Sequence, residues 1–207
     1  MSVTAIVLAG GRSSRFGSAK LAAELDGRSL LDHAVEAVAA VASETIVVIA
    51  PTGPPPDLPG GVRIVRDRDA FGGPLAGLAV GLEIATGEVA LVVGGDMPRL
   101  RPRVLEAMLA ALGTAGNAPA AVVLEADGDP SPLPAAIQVE PARIASAATL
   151  ASGGRSLRAL LDGLEVHPVP EDEWRRLDPA GDTLVDIDRP EDLERVRASD
   201  PDTTGLT

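Results

Sequence analysis

The stretch Thr4–Lys20, TAIVLAGGRSSRFGSAK, decides how the rest of this 207-residue chain is read. Ala5-Ile6-Val7-Leu8 is a short apolar run rich in β-branched residues, the pattern of a strand buried in a parallel sheet, and Gly10-Gly11 ends it. A loop with Arg12, Arg15, Gly17 and Lys20 follows before apolar spacing resumes at Leu21. Glycines let backbone amides approach a ligand closely and the three cations supply positive charge, so the stretch has the outline of a phosphate cradle. Two commoner cradles do not fit. A Walker loop requires G-x-x-x-x-G-K-[ST], but Gly11 and Gly17 are one residue too far apart and Lys20 does not follow a glycine. The dinucleotide fingerprint G-x-G-x-x-G is also absent. Lys20 is the chain's only lysine, every other basic residue being arginine. A compact ammonium slips between phosphates where a planar guanidinium fork does not.

Composition excludes several function classes. A net charge of -12 opposes nucleic acid or an anionic membrane as the main partner, and one Trp, two Phe and no Tyr leave no stacking surface for bases. An acidic protein that binds polyphosphate must gather its cations locally or recruit a metal. Without cysteine there are no disulfides, thiolate metal sites or thiol catalysis. No apolar run reaches the length of a membrane span and the chain enters its first strand directly, with no signal peptide, so a soluble cytoplasmic protein is expected.

The expected order is strand and helix in alternation. A helix capped by Ser29 runs from Leu30 to about Val41, strands follow at 45–49 and 62–65, and Pro51–Gly61 is an irregular loop. The glycine-rich turn Phe71–Gly77 opens a helix over 78–85, a strand covers 89–93, and a helix covers 100–112 with Pro102 in its first turn. Further strands are expected at 120–124, 135–139, 166–169 and 183–187, with 127–134 a turn-rich segment between two of them. Helices are expected at 141–150 and 157–161, and Pro190–Ala198 closes the chain with Asp188 as its cap. The sum is one α/β domain over residues 1–198, a Rossmann-like three-layer sandwich with a mostly parallel central sheet, and a disordered tail over 199–207.

Open α/β sheets bind ligands beyond the carboxyl ends of their strands. Those ends carry Gly10-Gly11, Arg66-Asp67, Gly94-Gly95-Asp96 and Asp186-Ile187-Asp188. Asp96 follows a fully apolar strand and two glycines, a rigid mount for a carboxylate that meets Mg²⁺, which typically takes one or two carboxylates plus substrate phosphates. As a cap for the helix near Leu100 it would sit four residues too early. Lys20, Arg12 and Arg15 are suited to neutralising a triphosphate and stabilising the charge that develops around its α-phosphorus. Neither His33 nor His167 has a triad pattern around it.

The pattern LAGG-x-x-x-R-F-G-x-x-K, from Leu8 to Lys20, resembles the signature loop of the small nucleotidyltransferases, closest to the molybdenum cofactor guanylyltransferases. The resemblance extends from Val3 to Arg197. It implies a nucleotide-diphospho-sugar transferase-like fold and transfer of GMP from GTP to molybdopterin, with Mg²⁺ as cofactor and a molybdoenzyme or its chaperone as receiver. It assigns guanine contacts to the loop Leu8, Ala9, Gly10 and Gly11 and to the turn Pro74, Leu75, Ala76 and Gly77, nucleotide binding to Asp67, and the catalytic Mg²⁺ to Asp96. With Lys20 and Arg15, Asp96 completes the expected catalytic set. The attacking group is a pterin phosphate, already anionic, so no strong general base is needed. Pro132–Ala135 and Gly154-Arg155-Ser156 resemble acceptor-side segments, where Arg155 is either a ligand of the pterin phosphate or an exposed residue of a helix's first turn.

Two departures keep alternatives open. The family carries an asparagine at the end of the second strand, where this chain has no polar group near Ile49. The late N-x-N-x-P-E motif is replaced by Asp186 and Asp188 in DIDRPED, a form also common among the related cytidylyltransferases. Asp188 is then a metal ligand beside Asp96 or the cap of the last helix. CMP transfer from CTP, guanylyl transfer to another small phosphorylated acceptor, and a non-catalytic nucleotide- or pterin-binding chaperone are the alternative functions.

Overall fold

The computed structural model describes residues 1–10, 20–69, 72–113 and 118–198. Gly11, Arg12, Arg15 and the expected tail over 199–207 lie outside them. The chain forms β1 (Val3–Ala9), a 3-10 turn (Lys20–Ala22), β2 (Glu24–Leu25), β3 (Arg28–Ser29), α1 (Leu30–Ala39), β4 (Glu44–Ile49) and β5 (Val62–Arg66). It continues through α2 (Gly73–Ile84), β6 (Val89–Gly94), α3 (Pro102–Gly113), β7 (Ala121–Ala126), β8 (Asp129–Gln138), α4 (Val139–Ala151) and α5 (Leu157–Leu161). β9 (Val166–Val169), α6 (Glu171–Trp174), a second 3-10 turn (Asp182–Leu184) and α7 (Pro190–Ala198) follow.

Among the described residues the main sheet has seven strands in the order β5-β4-β1-β6-β8-β7-β9. β1 pairs in parallel with β4 on one side and β6 on the other, β4 with β5, and β7 with β9. β8 runs against both β6 and β7. The chain winds outward from β1 to β5 and then crosses back to β6, so the topological switch point lies between the carboxyl ends of β1 and β6.

Alternation along the strands divides the core between the two faces of the sheet. Ala5 and Val7 of β1 join Val47, Leu91 and Val93 under α1 and α3, while Ile6 joins Val48, Val92 and Ala135 under α2, α4 and α5. Both sides of β1, β4 and β6 are therefore covered, which is why they read as unbroken apolar runs. A third cluster, Leu25, Leu30, Ile187, Leu193 and Val196, fastens α7 to the β2–β3 hairpin. Among the described residues no helix is long and apolar enough to cross a membrane.

Ser29 caps α1 as expected, in a full capping box with Asp32. Four other expectations are corrected. Segment 127–134 is not a connection between strands: Asp127 and Gly128 make the turn with positive φ, and β8 begins at Asp129. α2 starts at Gly73 rather than Leu78, because a proline at the second helical position needs no amide partner there. The expected strand at 183–187 is a 3-10 turn and an extended segment, with the Thr183 amide donating to Asp178 Oδ2 at 2.7 Å and the Ile187 amide to the Asp96 carbonyl at 3.0 Å. Asp188 does not cap α7 with its carboxylate, which accepts from Lys20; Asp192 reaches back instead to accept from the Asp188 and Arg189 amides.

Candidate active site

Two backbone ends meet at the switch point. The Gly95 amide donates to the Leu8 carbonyl at 3.0 Å, joining the carboxyl ends of β1 and β6. Gly94 and Gly95 permit that approach: a Cβ on Gly94 would collide with Asp96 Oδ1, and one on Gly95 would lie 3.1 Å from Leu31 Cδ1. Asp96 is half-buried there, and its carbonyl is held from the other side by the Ile187 amide. Two strand ends and a late loop thus set the position of a single carboxylate.

Lys20, the first residue of the 3-10 turn after the loop, is only 9% exposed. Its Nζ donates to Asp96 Oδ2 at 2.8 Å and to Asp188 Oδ1 at 2.7 Å. Burial pulls the ammonium down, but the hydrogen bonds to Asp188 and Asp96 and the charges of both outweigh it and hold Lys20 above its ordinary value. Asp186 is exposed as a residue, yet desolvation of its carboxyl group, with the charges of Asp188 and Asp96, pushes it up. Among the described residues, Lys20 from the start of the chain therefore sits among one carboxylate from its middle, Asp96, and two from its late part, Asp186 and Asp188.

The donor set suits a hard cation. Asp96 Oδ2 and Asp188 Oδ1 converge on one point that already holds a positive charge, and two carboxylate oxygens leave room for the substrate phosphates that usually complete a Mg²⁺ shell. No group of three or more ligating side chains with metal-binding geometry occurs among the described residues, so the rest of such a shell would come from substrate and water.

The expected nucleotide residues form a neighbouring wall. A Cβ on Gly77 would lie 3.5 Å from Asp67 Oδ2 and 3.8 Å from Leu8 Cδ2, so the ends of β1 and β5 and the first turns of α2 meet there. Gly10 runs against the end of β4, where a Cβ would stand 3.1 Å from the Ala50 amide nitrogen. Ala9 is half-buried beside it, Pro74 is exposed, and Ala76 is half-buried. Leu75 faces the core, completely buried, and its amide donates to the Arg155 carbonyl at 3.2 Å. Arg12, Arg15 and Gly11 fall outside the described residues.

Neither histidine joins the site. His33 Nε2 is 2.8 Å from the Leu25 carbonyl oxygen, and His167 is exposed on the edge strand β9. One link escaped sequence reading. Gly73 has φ +74°, and a Cβ there would stand 2.6 Å from the Arg155 carbonyl oxygen, while the Arg155 guanidinium lies 3.5 Å from Asp69. Residues 154–156 are thus locked onto the first turn of α2. The Gly73-Pro74 pair was the available signal, and it names no partner.

Comparison with known proteins bears on the family and the fold. Residues 5–169 match the model of the MobA-like NTP transferase domain. The chain is 34% identical over 202 residues to a probable molybdenum cofactor guanylyltransferase of Chloroflexus aggregans, covering 96% of this chain and 95% of the relative. It is 29% identical over 199 residues to the molybdenum cofactor guanylyltransferase of Desulfosudis oleivorans, with 95% of each chain covered. Its fold is shared with molybdopterin-guanine dinucleotide biosynthesis protein A from Archaeoglobus fulgidus, at a TM-score of 0.77, 23% identity, and coverage of 94% and 97% of the two chains.

Proposed function

Because this chain belongs to the family of MobA-like NTP transferase domains, we propose that it transfers GMP from GTP to molybdopterin, forming the guanine dinucleotide cofactor and pyrophosphate with Mg²⁺ as its metal. It is a nucleotidyltransferase by that membership. The observation that carries the reading is the Lys20 ammonium held between Asp96 and Asp188 at the switch point. A pterin phosphate oxygen attacks the α-phosphorus of GTP. One P–O bond forms, the bond to the oxygen bridging the α- and β-phosphates breaks, and pyrophosphate leaves with that electron pair.

No residue of the chain needs to become covalently bound. Lys20 brings a mobile point charge to the triphosphate, with Arg12 and Arg15 expected beside it, and lowers the cost of the charge spreading over the departing oxygens. Asp96 and Asp188 would hold Mg²⁺, which when bound neutralises the phosphates and orients them for in-line displacement. Leu8, Ala9, Gly10, Pro74, Ala76 and Gly77 enclose the base, with Gly11 expected beside them and Asp67 on the nucleoside between them. Leu75 serves this wall through its backbone, since its side chain is in the core. The product passes to a molybdoenzyme or its chaperone.

Calorimetric titration with Mg²⁺ and each of GTP, CTP, ATP and UTP tests the nucleotide, with Lys20→Ala alongside wild type. Selective GTP binding weakened in the variant is expected. Preference for CTP would move the chain to cytidylyl transfer, the reading that Asp186 and Asp188 in DIDRPED keep open. Absence of binding to any nucleotide would overturn the enzymatic reading. Asp96→Ala is expected to lower kcat by roughly a hundredfold or more, with the circular dichroism spectrum retained; full activity would remove Asp96 from the mechanism.

A further inference from the structure

The point where Asp96 and Asp188 converge is already filled by part of the chain itself. Lys20 Nζ stands 2.8 Å from Asp96 Oδ2 and 2.7 Å from Asp188 Oδ1, and the lysine side chain is only 11% exposed. A Mg²⁺ ion bound to the same two oxygens would lie about 2.1 Å from each. That is the space the ammonium occupies, so the two cations exclude one another. We propose that Lys20 is the resident cation of this site before nucleotide binds, keeping divalent ions out until the triphosphate draws the ammonium away. The inference rests on Asp96 and Asp188 being the metal ligands of the proposed reaction.

The parts differ in mobility in the way such a device needs. Asp96 is pinned at the end of β6, and the Ile187 amide ties its carbonyl to the segment that carries Asp188. Asp188 is held in turn through its own amide, which donates to Asp192 Oδ2 at 3.1 Å. Lys20 reaches the site on a flexible four-carbon stem, and its ammonium has three donors, of which the carboxylates take two. An incoming polyphosphate offers that ammonium several anionic oxygens at once. The ammonium can swing to them while the carboxylates stay.

Electrostatics favours the same order. Without a cation, Asp96, Asp186 and Asp188 would crowd like charges together at the switch point, a cost that the lysine offsets in part. It also explains why the position is lysine in a chain that otherwise uses arginine. An ammonium is a compact point charge with rotatable donors that fits between two carboxylates and turns readily to phosphates, whereas a guanidinium is a planar fork matched to one carboxylate at a time.

The test is Mn²⁺ binding to the full, nucleotide-free chain, followed by loss of the free-ion paramagnetic resonance signal. Wild type is expected to bind weakly and Lys20→Met roughly tenfold more tightly or better, because the competing charge is gone while the stem remains. Lys20→Arg keeps the charge and should stay within about twofold of wild type. Adding Asp96→Asn to Lys20→Met should abolish the gain. Lys20→Gln serves equally if the methionine variant does not fold, as judged by circular dichroism.

Equal affinity in wild type and the neutral variants, lost in both on Asp96→Asn, would overturn the proposal and leave the metal ligands standing. A gain that survives Asp96→Asn would overturn it by placing the ion elsewhere. If neither wild type nor the neutral variants bind Mn²⁺, the proposal falls together with the assignment of the carboxylates.

Discussion

Glu44, at the opposite end of the sheet from the site, gives the sharpest stability prediction. Its Oε2 accepts from Thr4 Oγ1 at 2.7 Å, the Thr86 amide at 3.0 Å and Thr86 Oγ1 at 2.8 Å, and its Oε1 accepts from Arg63 Nη1 at 2.6 Å. Burial raises this carboxyl, but the Thr86 amide, the two threonine hydroxyls and Arg63 outweigh it and lower the pKa from 4.5 to about 2. Fully expressed, that difference is worth roughly 3 kcal/mol. Arg63 is half-exposed, and screening there brings the contribution to about 2 kcal/mol. The folded pKa is depressed, so this stability is complete above about 4.5 and drains away as pH falls toward about 2. Glu44→Gln removes the charge and must turn its amide NH₂ toward either Arg63 or Thr86, both donors. Urea unfolding followed by the emission of Trp174, the only tryptophan, should show a loss of about 2 kcal/mol at pH 7, shrinking by about half at pH 3. A difference constant across that range would refute the charge argument and leave only altered packing.

Two glycines of α2 give further tests. Gly73→Ala would strain a backbone at φ +74° and drive a Cβ to 2.6 Å from the Arg155 carbonyl oxygen, so a loss of about 1–3 kcal/mol and weaker nucleotide binding are expected from thermal melts and calorimetry. Wild-type behaviour would show that residues 154–156 do not brace this turn. Gly81→Ala would bring a Cβ to 2.7 Å from Ile6 Cγ2 and 3.4 Å from Val48 Cγ2. Overpacking of about 1–3 kcal/mol exceeds the helix-propensity gain of about 1 kcal/mol, so a lower melting temperature is expected, and a higher one would mean that α2 can lift from the sheet at little cost.

Where residues are covered on both faces, the sequence was a sufficient guide to the fold. β1, β4 and β6 are continuous apolar runs because α1 and α3 cover one side and α2 the other. β8 was half hidden by Pro130, Pro132 and Pro134, which read as turn residues. Pro132 and Pro134 fall where the β7–β8 ladder is irregular between Val123 and Glu125, and β6 pairs with β8 only from Ala135 to Gln138, so amide donors are not demanded at every position of 130–134. Thr183–Ile187 misled in the other direction. Its alternation is that of a strand, but Thr183 faces a buried tie to Asp178 and Ile187 faces the third cluster, two unrelated local demands.

The site was legible in its parts and not in its assembly. Lys20 stood out by rarity and Asp96 by its place after a strand and two glycines. Their contact, and that of Lys20 with Asp188 at the far end of the chain, depends on how α7 docks. No local pattern encodes that docking. The choice between cap and cation partner for Asp188 turned on Asp192 taking over the amides at the start of α7, a role that the acidic run of DIDRPED permits but does not specify.

The third cluster ties the segment from Val185 to Val196, and Asp188 with it, to the start of the chain. During synthesis, a ribosome-bound chain could complete all seven strands of the sheet and still lack Asp188, Ile187 and the helix that seats them against Leu25 and Leu30. Lys20 would then meet only one of its two acceptors. A chain cut short after β9 would keep the seven-stranded sheet while losing one of the two carboxylates that hold Lys20.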